Sequence, residues 1–552
     1  MFETLLVLPP GFWVAVGLLL LGAIWAAGQI KNGAGFPVLA VLATVAVWYV
    51  VDVLYNDYRG QYRQEFTATT LANAWWQVVL FLAMFLVLTP VAHHLVNGRH
   101  LQLGSQISRM LSAGVNERSF QLKLNQLFWG CVTVWLVLAV LAVLRVGIHE
   151  APYYFFPFLG HKANPWGRGR IGGGIDSLLS LASYFQTFLA ATFGVVAALA
   201  QDRRIRFLAL IGCLLTWPYY IIDRTRNVML AVAVPAILAW VFLRLRGGVL
   251  QKALVLLLCF LLINTWFKFV ISNRSQTDIA SALHQQGLSA EQAGDIQHQG
   301  LNMYEELCWV NALIKEGTFA PKWGQEYFAE IVNPIPRSLW AGKPLIGLDY
   351  AAARGLSWDQ GDAGVAATLS TGMIGQGVVN FGPIFGPAFA ALLMSLWVAG
   401  LARLDLEGQK VGRIPLFALG LILTFNLGRD ITLITLYTFI FGSAIVWWLQ
   451  YSASRPERRT RRATAGQRDN QTTRQKVSGQ RLVVSSPQSV VRNPQAVASG
   501  QESVVGKQPG EIKGAISRGE ESGRRHSGFG WWHHSKMPAA PIPASKPTDG
   551  QS

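Results

Sequence analysis

The chain has 552 residues, of which 51% are hydrophobic and only 14% charged, with a formal net charge of +17. A soluble domain usually carries about a quarter charged residues, so this balance excludes an ordinary soluble enzyme and points to the membrane class. The basic charge does not argue for a nucleic-acid partner, because residues 455–549 hold 17 Lys/Arg against 7 Asp/Glu and so supply ten of the seventeen charges.

Apolar blocks of about 16 to 25 residues, long enough to cross a hydrocarbon core of roughly 30 Å, fall at 11–29, 35–55, 74–97, 126–147, 176–200, 207–222, 227–243, 253–272, 382–402, 414–429 and 430–449. The expected fold is therefore all-α, a polytopic membrane protein with about 11 transmembrane helices. Residues 1–272 would hold the first eight spans, 273–381 one large loop with short helices, and 382–449 the last three spans. The pairs 207–222/227–243 and 414–429/430–449 are short and closely joined. The first block lacks a basic leader and is followed at once by a second span, so it reads as a helix that stays. Trp75, Trp76, Trp447 and Trp448 lie near block ends, where aromatic rings anchor helices at the interface. Cys131, Cys213 and Cys259 sit in apolar blocks and Cys308 in the loop, so no structural disulfide is expected. The tail, 450–552, is rich in Gln, Ser, Gly, Pro and Arg without apolar periodicity. It is expected to be disordered and cytoplasmic, near anionic headgroups.

Orientation follows from Lys and Arg in the short connections. Arg203, Arg204 and Arg206, then Arg244, Arg246 and Lys252, then Arg403, Lys410 and Arg413 alternate along the chain, and the basic tail falls on the same side. Arg99, Arg109, Arg118 and Lys123 fall there too. Assigning that side to the cytoplasm places the C-terminus inside and, with eleven spans, the N-terminus outside. The 273–381 loop then faces outward, with 56–73, 148–175 and the turns at 223–227 and 428–430. A loop of this length is uncommon unless functional, and Asn302–Lys315 has helical periodicity.

Some cations break the positive-inside pattern on the outward side. Arg224 and Arg226 lie in Asp223-Arg224-Thr225-Arg226-Asn227, and Arg429 in Asn426-Leu427-Gly428-Arg429-Asp430. Arg337 follows Asn333-Pro334-Ile335-Pro336, and Lys343-Pro344 comes soon after. Arg168, Arg170 and Arg274 are further candidates. Guanidinium groups near the bilayer surface suit bidentate contact with phosphate oxygens. The plainer account is that a lone arginine at a helix end snorkels or pairs with a neighbour such as Asp223 or Asp430. The run from Ser370 to Pro383 holds Gly372, Gly375, Gly377 and Gly382. It lacks the Gly-Lys-Ser/Thr of a nucleotide loop, and reads equally as close backbone approach to a ligand or as a re-entrant lead into the next helix. His93-His94 and His533-His534 lack accompanying acids or thiolates and are poor metal candidates. No nucleotide-binding loop is present, and no cofactor is expected.

The string Gly324-Gln325-Glu326-Tyr327 … Asn333-Pro334-Ile335-Pro336-Arg337-Ser338-Leu339-Trp340 … Lys343-Pro344 … Ser370-Thr371 … Ile374-Gly375 … Asn380-Phe381-Gly382 resembles the oligosaccharide repeat-unit polymerases of the Wzy type. The likeness is best over 320–385, extends as topology over 200–450, and covers the first 150 residues only as hydrophobic spans. It implies a GT-C-like glycosyltransferase that moves a growing glycan from polyprenyl diphosphate to the next lipid-linked repeat unit, without metal or nucleotide. Arg224, Arg226, Arg337 and Arg429, with Lys343, would hold the diphosphate. The base would come from Glu326, Asp349, Asp359, Asp362 or Asp430. Where the pattern expects Glu after Ile-Gly, this chain has Gln376, so that carboxylate's role would have to move. The implied partners are the lipid-linked oligosaccharide, membrane lipids and a chain-length regulator or export protein. Three rivals stand beside this: an O-antigen ligase, disfavoured because loop histidines His284 and His298 lie away from the motifs, a flippase for lipid-linked sugar, and a structural export subunit.

Overall fold

The computed structural model describes residues 7–29, 35–55, 58, 62–97, 117–167, 179–222, 226–272, 302–333, 335, 339–340, 342–344, 347–354, 369–404 and 411–451. Every regular element among them is helical. The principal helices are α1 (Pro10–Gly28), α2 (Gly35–Leu54), α3 (Ala68–Asn97), α4 (Arg118–Val146), α5 (Ala182–Leu199), α6 (Arg203–Ile221), α7 (Asn227–Arg244), α8 (Leu250–Val270), α9 (Met303–Lys315), α10 (Gln325–Val332), α11 (Leu348–Ala353), α12 (Gly372–Ala402), α13 (Arg413–Leu427) and α14 (Leu433–Tyr451). Nine of them, α1 to α5, α7, α8, α12 and α14, are long and apolar enough to cross a membrane. All eleven apolar blocks of the sequence coincide with helices. The other two are α6, which opens on Arg203, Arg204 and Arg206, and α13, whose 15 residues span about 22 Å at the usual rise.

The helices form two adjoining cores. One gathers α1, α2, α3, α9 and α12 around Phe12, Trp48, Phe81, Tyr304 and Met394, and the other gathers α4, α5, α7, α13 and α14 around Phe128, Phe188, Phe193 and Leu419. Glycines allow the closest approaches: a Cβ on Gly442 would meet the Phe188 ring at 2.4 Å, and one on Gly420 would meet Leu401 at 2.3 Å. At one end of the second core the basic connections converge. Arg206 Nε and Arg244 Nη1 both donate to the Ala200 carbonyl, at 3.0 Å each, just past the carbonyl end of α5. Guanidinium groups favour that end of a helix dipole. Arg206 and Arg244 therefore lie at the same end of the bundle.

Helix α12 is not one straight rod. Gly382 interrupts it with φ 79°, ψ 178°, a conformation open essentially to glycine alone. The chain then doubles back: a Cβ on Gly377 would fall 2.2 Å from the Gly386 carbonyl oxygen. Residues 372–381 thus form a half-helix lying against the first turns of 383–402. Its amino end meets the carboxyl end of α13, where Met373 N donates to Gly428 O at 3.0 Å. Gly428 itself packs on Thr44 and Trp48, midway along α2, where the α-helical winding gives way to a π-helix (Ala46–Val51). The short α13 and the half-helix therefore stack end to end. Of the two readings of the glycine run, this geometry is the re-entrant one.

Three helices of the loop dock onto this core. Asp52, fully buried, accepts from Tyr304 N at 3.0 Å and Tyr62 Oη at 3.0 Å, and so caps the start of α9. Asn311 and Gln77 exchange amide hydrogen bonds between α9 and α3, at 2.7 and 2.8 Å. Trp75, expected at the interface, is instead wholly buried between Phe12 and Tyr304, whereas Trp76, Trp447 and Trp448 are exposed. The tryptophan pair at 75–76 straddles the core boundary, one ring on each face of α3.

Candidate functional site

Three stretches remote in sequence meet at one place: α10 with its lead-in, the half-helix 372–381, and the turn 428–432. Backbone bonds join the first two, with Lys322 N donating to Val379 O at 2.9 Å and Glu326 N to the Asn380 side-chain oxygen at 3.1 Å. Gly324, at φ 85°, turns the chain into α10 and lies against Phe381. Gln376 grips the turn, accepting from Ile431 N at 2.8 Å and reaching Ile431 O at 3.4 Å. Tyr49 Oη accepts from Ile374 N at 3.1 Å, and Asp430 Oδ1 from Thr371 N at 3.2 Å. The first amides of the half-helix, which have no partners within it, are thus met by a carbonyl, a phenol and a carboxylate.

The ionisable groups at this junction are mostly acids. Burial pushes the Glu330 carboxyl up to about 8, and the charges of Asp430 and Glu326 add to the shift. The Leu433 N–H, at the start of α14, opposes it in part. Neither Glu330 carboxyl oxygen has a hydrogen bond of good geometry, although the residue is only 2% exposed. Glu326 is raised to about 7, again first by burial and then by Asp430 and Asp349, with Lys322 opposing. Asp430 is raised to about 6 by burial, which the Ser370 hydroxyl, the Arg429 charge and the Thr371 amide resist. Two buried carboxyls and the half-buried Asp430, which discourage one another's ionisation, can hold and exchange protons near neutral pH. Arg429 stands beside them, exposed, its Nε donating to Ser370 Oγ at 2.8 Å.

Of the residues singled out in the sequence, Glu326, Asp430 and Arg429 come together here, with Gly372, Gly375 and Gly382 shaping the half-helix. Gly375 packs on Thr371, and Gly372, at φ 77°, on Met303 and Tyr49. Asp349 is exposed on α11 and ion-paired with Lys322 at 2.9 Å, at the margin of the group. The Lys343 ammonium donates to the carbonyls of Asn333 and Ile335, at 2.7 Å each, and so caps the end of α10. Arg168, Arg170, Arg224, Arg274, Arg337, Asp359, Asp362, His284 and His298 lie outside the described residues, as does the side chain of Arg226.

Glu330 and Tyr49 were missed in the sequence, and Asn380 entered only as part of the motif string. Glu330 carried a signal: it follows Glu326 by one helical turn, with Phe328 and Ile331 on the other side. Tyr49 carried none, because only the π-helical turn of α2 aims it at Ile374. Comparisons with protein-family models, with characterised proteins and with solved structures find no match to this chain.

Proposed function

We propose that this protein joins polyprenyl-diphosphate-linked oligosaccharides into a longer glycan on the loop side of a bacterial inner membrane, as a GT-C-like glycosyltransferase. The observation that carries the reading is the junction itself, where the guanidinium of Arg429 and the carboxyls of Asp430, Glu326 and Glu330 share one place beside a re-entrant half-helix. The motif string of the loop supports it, since Glu326, Ile374-Gly375 and Asn380-Phe381-Gly382 all contribute to that place. Gln376 stands where a carboxylate was expected, and its amide is engaged with Ile431, while Asp430 and Glu330 bring carboxyls from either side.

In this reading Asp430 takes the proton of the acceptor hydroxyl, and the freed oxygen attacks the anomeric carbon of the donor. The bond from that carbon to the diphosphate oxygen breaks, and the diphosphate leaves with the electron pair. A carboxyl with a pKa near 6 is mostly ionised at neutral pH and remains basic enough to serve. Arg429, anchored through Nε, presents its remaining N–H groups to the departing oxygens. Arg224, Arg226, Arg337 and Lys343 are assigned to the same diphosphate.

The test is the glycan length in cells carrying Asp430→Asn, Arg429→Ala or Arg337→Ala at equal protein levels. Single repeat units on the loop side are expected, and long polymer from Asp430→Asn would overturn the assignment of the base. A second reading, a flippase for lipid-linked sugar, draws on the end-to-end meeting of α13 with the half-helix, since broken helices frame the substrate sites of many transporters. Accumulation of the lipid-linked unit on the opposite leaflet in these variants would favour it.

A further inference from the structure

Helix α10 has its polarity inside out. Its two acids, Glu326 and Glu330, one turn apart, face the protein and are 9% and 2% exposed, while Phe328 and Ile331 face away and are 49% and 63% exposed. The flanking residues extend the outer face: Trp323 and Leu339 are each 80% exposed, and Ile335 and Trp340 are partly so. Trp340 returns to touch Phe328, ring centres 6.2 Å apart. In a water-facing loop this arrangement would combine two costs, acids withdrawn from water and a run of large apolar side chains presented to it.

The position of α10 beside α12 removes the second cost. The Tyr327 ring lies 5.4 Å from Phe389 and 6.2 Å from Phe381. Phe389 is seven residues past the Gly382 break, about 10 Å into the span at the usual rise. The helix therefore runs at the depth of that span's first turns, not above them. Two residues about one turn nearer the Gly382 break, Ile384 and Phe385, are about 70% exposed and belong to the outer, lipid-type surface of α12.

We propose that α10 is an in-plane interfacial helix, with Trp323, Phe328 and Ile331, and Leu339 beyond its end, immersed in the acyl chains of the leaflet on the loop side. Its polar face is turned to the protein, where the junction of the half-helix and α14 supplies the polar surroundings that headgroups supply to an ordinary surface helix. Lys322 and Lys343 stand at its two ends, one paired with Asp349 and the other on backbone carbonyls. The inference concerns the surface alone and holds whether the protein polymerises or flips its substrate.

The test uses the full chain in phosphatidylcholine–phosphatidylglycerol proteoliposomes doped with a phosphatidylcholine whose acyl chain carries a diazirine. After photolysis, adducts are mapped by peptide mass spectrometry. Adducts on 323–340 at a yield comparable to that around Ile384 and Phe385 are expected, with α11 near background. Labelling at Ile384 and Phe385 without labelling of 323–340 would overturn the proposal. So would cross-links from 323–340 to a second copy of the chain in place of lipid adducts. A water-soluble diazirine provides the converse measurement: heavy labelling of Phe328 and Ile331 by it would also overturn the proposal.

Discussion

Gly377 and Gly386 touch backbone to backbone. A Cβ on Gly386 would fall 2.4 Å from the Gly377 carbonyl oxygen, and one on Gly377 2.2 Å from the Gly386 oxygen. In a continuous helix residues nine apart would lie about 14 Å from one another. The contact exists because Gly382 turns the chain, and no side chain can be accommodated at it.

Gly377→Ala and Gly386→Ala are therefore each expected to destabilise the fold by about 3 kcal/mol or more, since the obstacle is backbone and cannot swing away. Gly400, on the same helix, has nothing within 4 Å of its Cβ position, and Gly400→Ala should be neutral or slightly stabilising. Thermal melts in detergent decide the matter. A wild-type melting temperature for Gly377→Ala would contradict the hairpin.

Stability should fall as the pH rises from about 5 to 8. A carboxyl whose folded pKa lies above its unfolded value of about 4.3 contributes fully below that value, and its contribution is lost as pH climbs through the folded one. Glu326 and Glu330, raised to about 7 and about 8, set the window. Glu330→Gln, which cannot ionise, should flatten the upper part of the melting-temperature profile. An unchanged slope above pH 7 would show that Glu330 does not titrate there.

Asp52→Ala is expected to loosen α9 without unfolding the spans. It removes the acceptor for Tyr304 N and Tyr62 Oη and leaves both donors buried, at a cost of about 2 kcal/mol. Hydrogen exchange should accelerate across Met303–Lys315 and remain slow in α4 and α5. Uniform acceleration would mean that the whole bundle depends on this cap.

Gln77 and Asn311 offer a cleaner measure of the same docking. Their two reciprocal amide bonds join α3 to α9, so Gln77→Ala and Asn311→Ala should be non-additive by about 1 kcal/mol. Additive effects would show that the pair contributes little to holding the loop.

The spans were legible because hydropathy over about 20 residues reports burial in lipid directly. The breaks within them were not. Gly382 looked like one glycine in a glycine-rich run, and only its contacts show that 372–381 belongs beside 383–402. Trp75 was misplaced because its neighbour Trp76 has the same composition and opposite facing. Of the candidate site, Arg429 and Asp430 could be picked out as charges between apolar spans, and Glu326 only as one of five acids that the resemblance offered as the base. Their convergence depends on Gln376 gripping Ile431 and on Tyr49 holding Ile374, contacts between residues 55 and 325 positions apart. No local pattern encodes separations of that kind.

The seam between Gly428 and Met373 also has a mechanical meaning. A continuous crossing helix would carry any push on the loop straight through to the basic face. A crossing assembled from α13 and the half-helix is instead held by one backbone bond and a few side-chain clasps. The two pieces are therefore coupled only through that bond and those clasps, and no run of helical hydrogen bonds passes from one to the other.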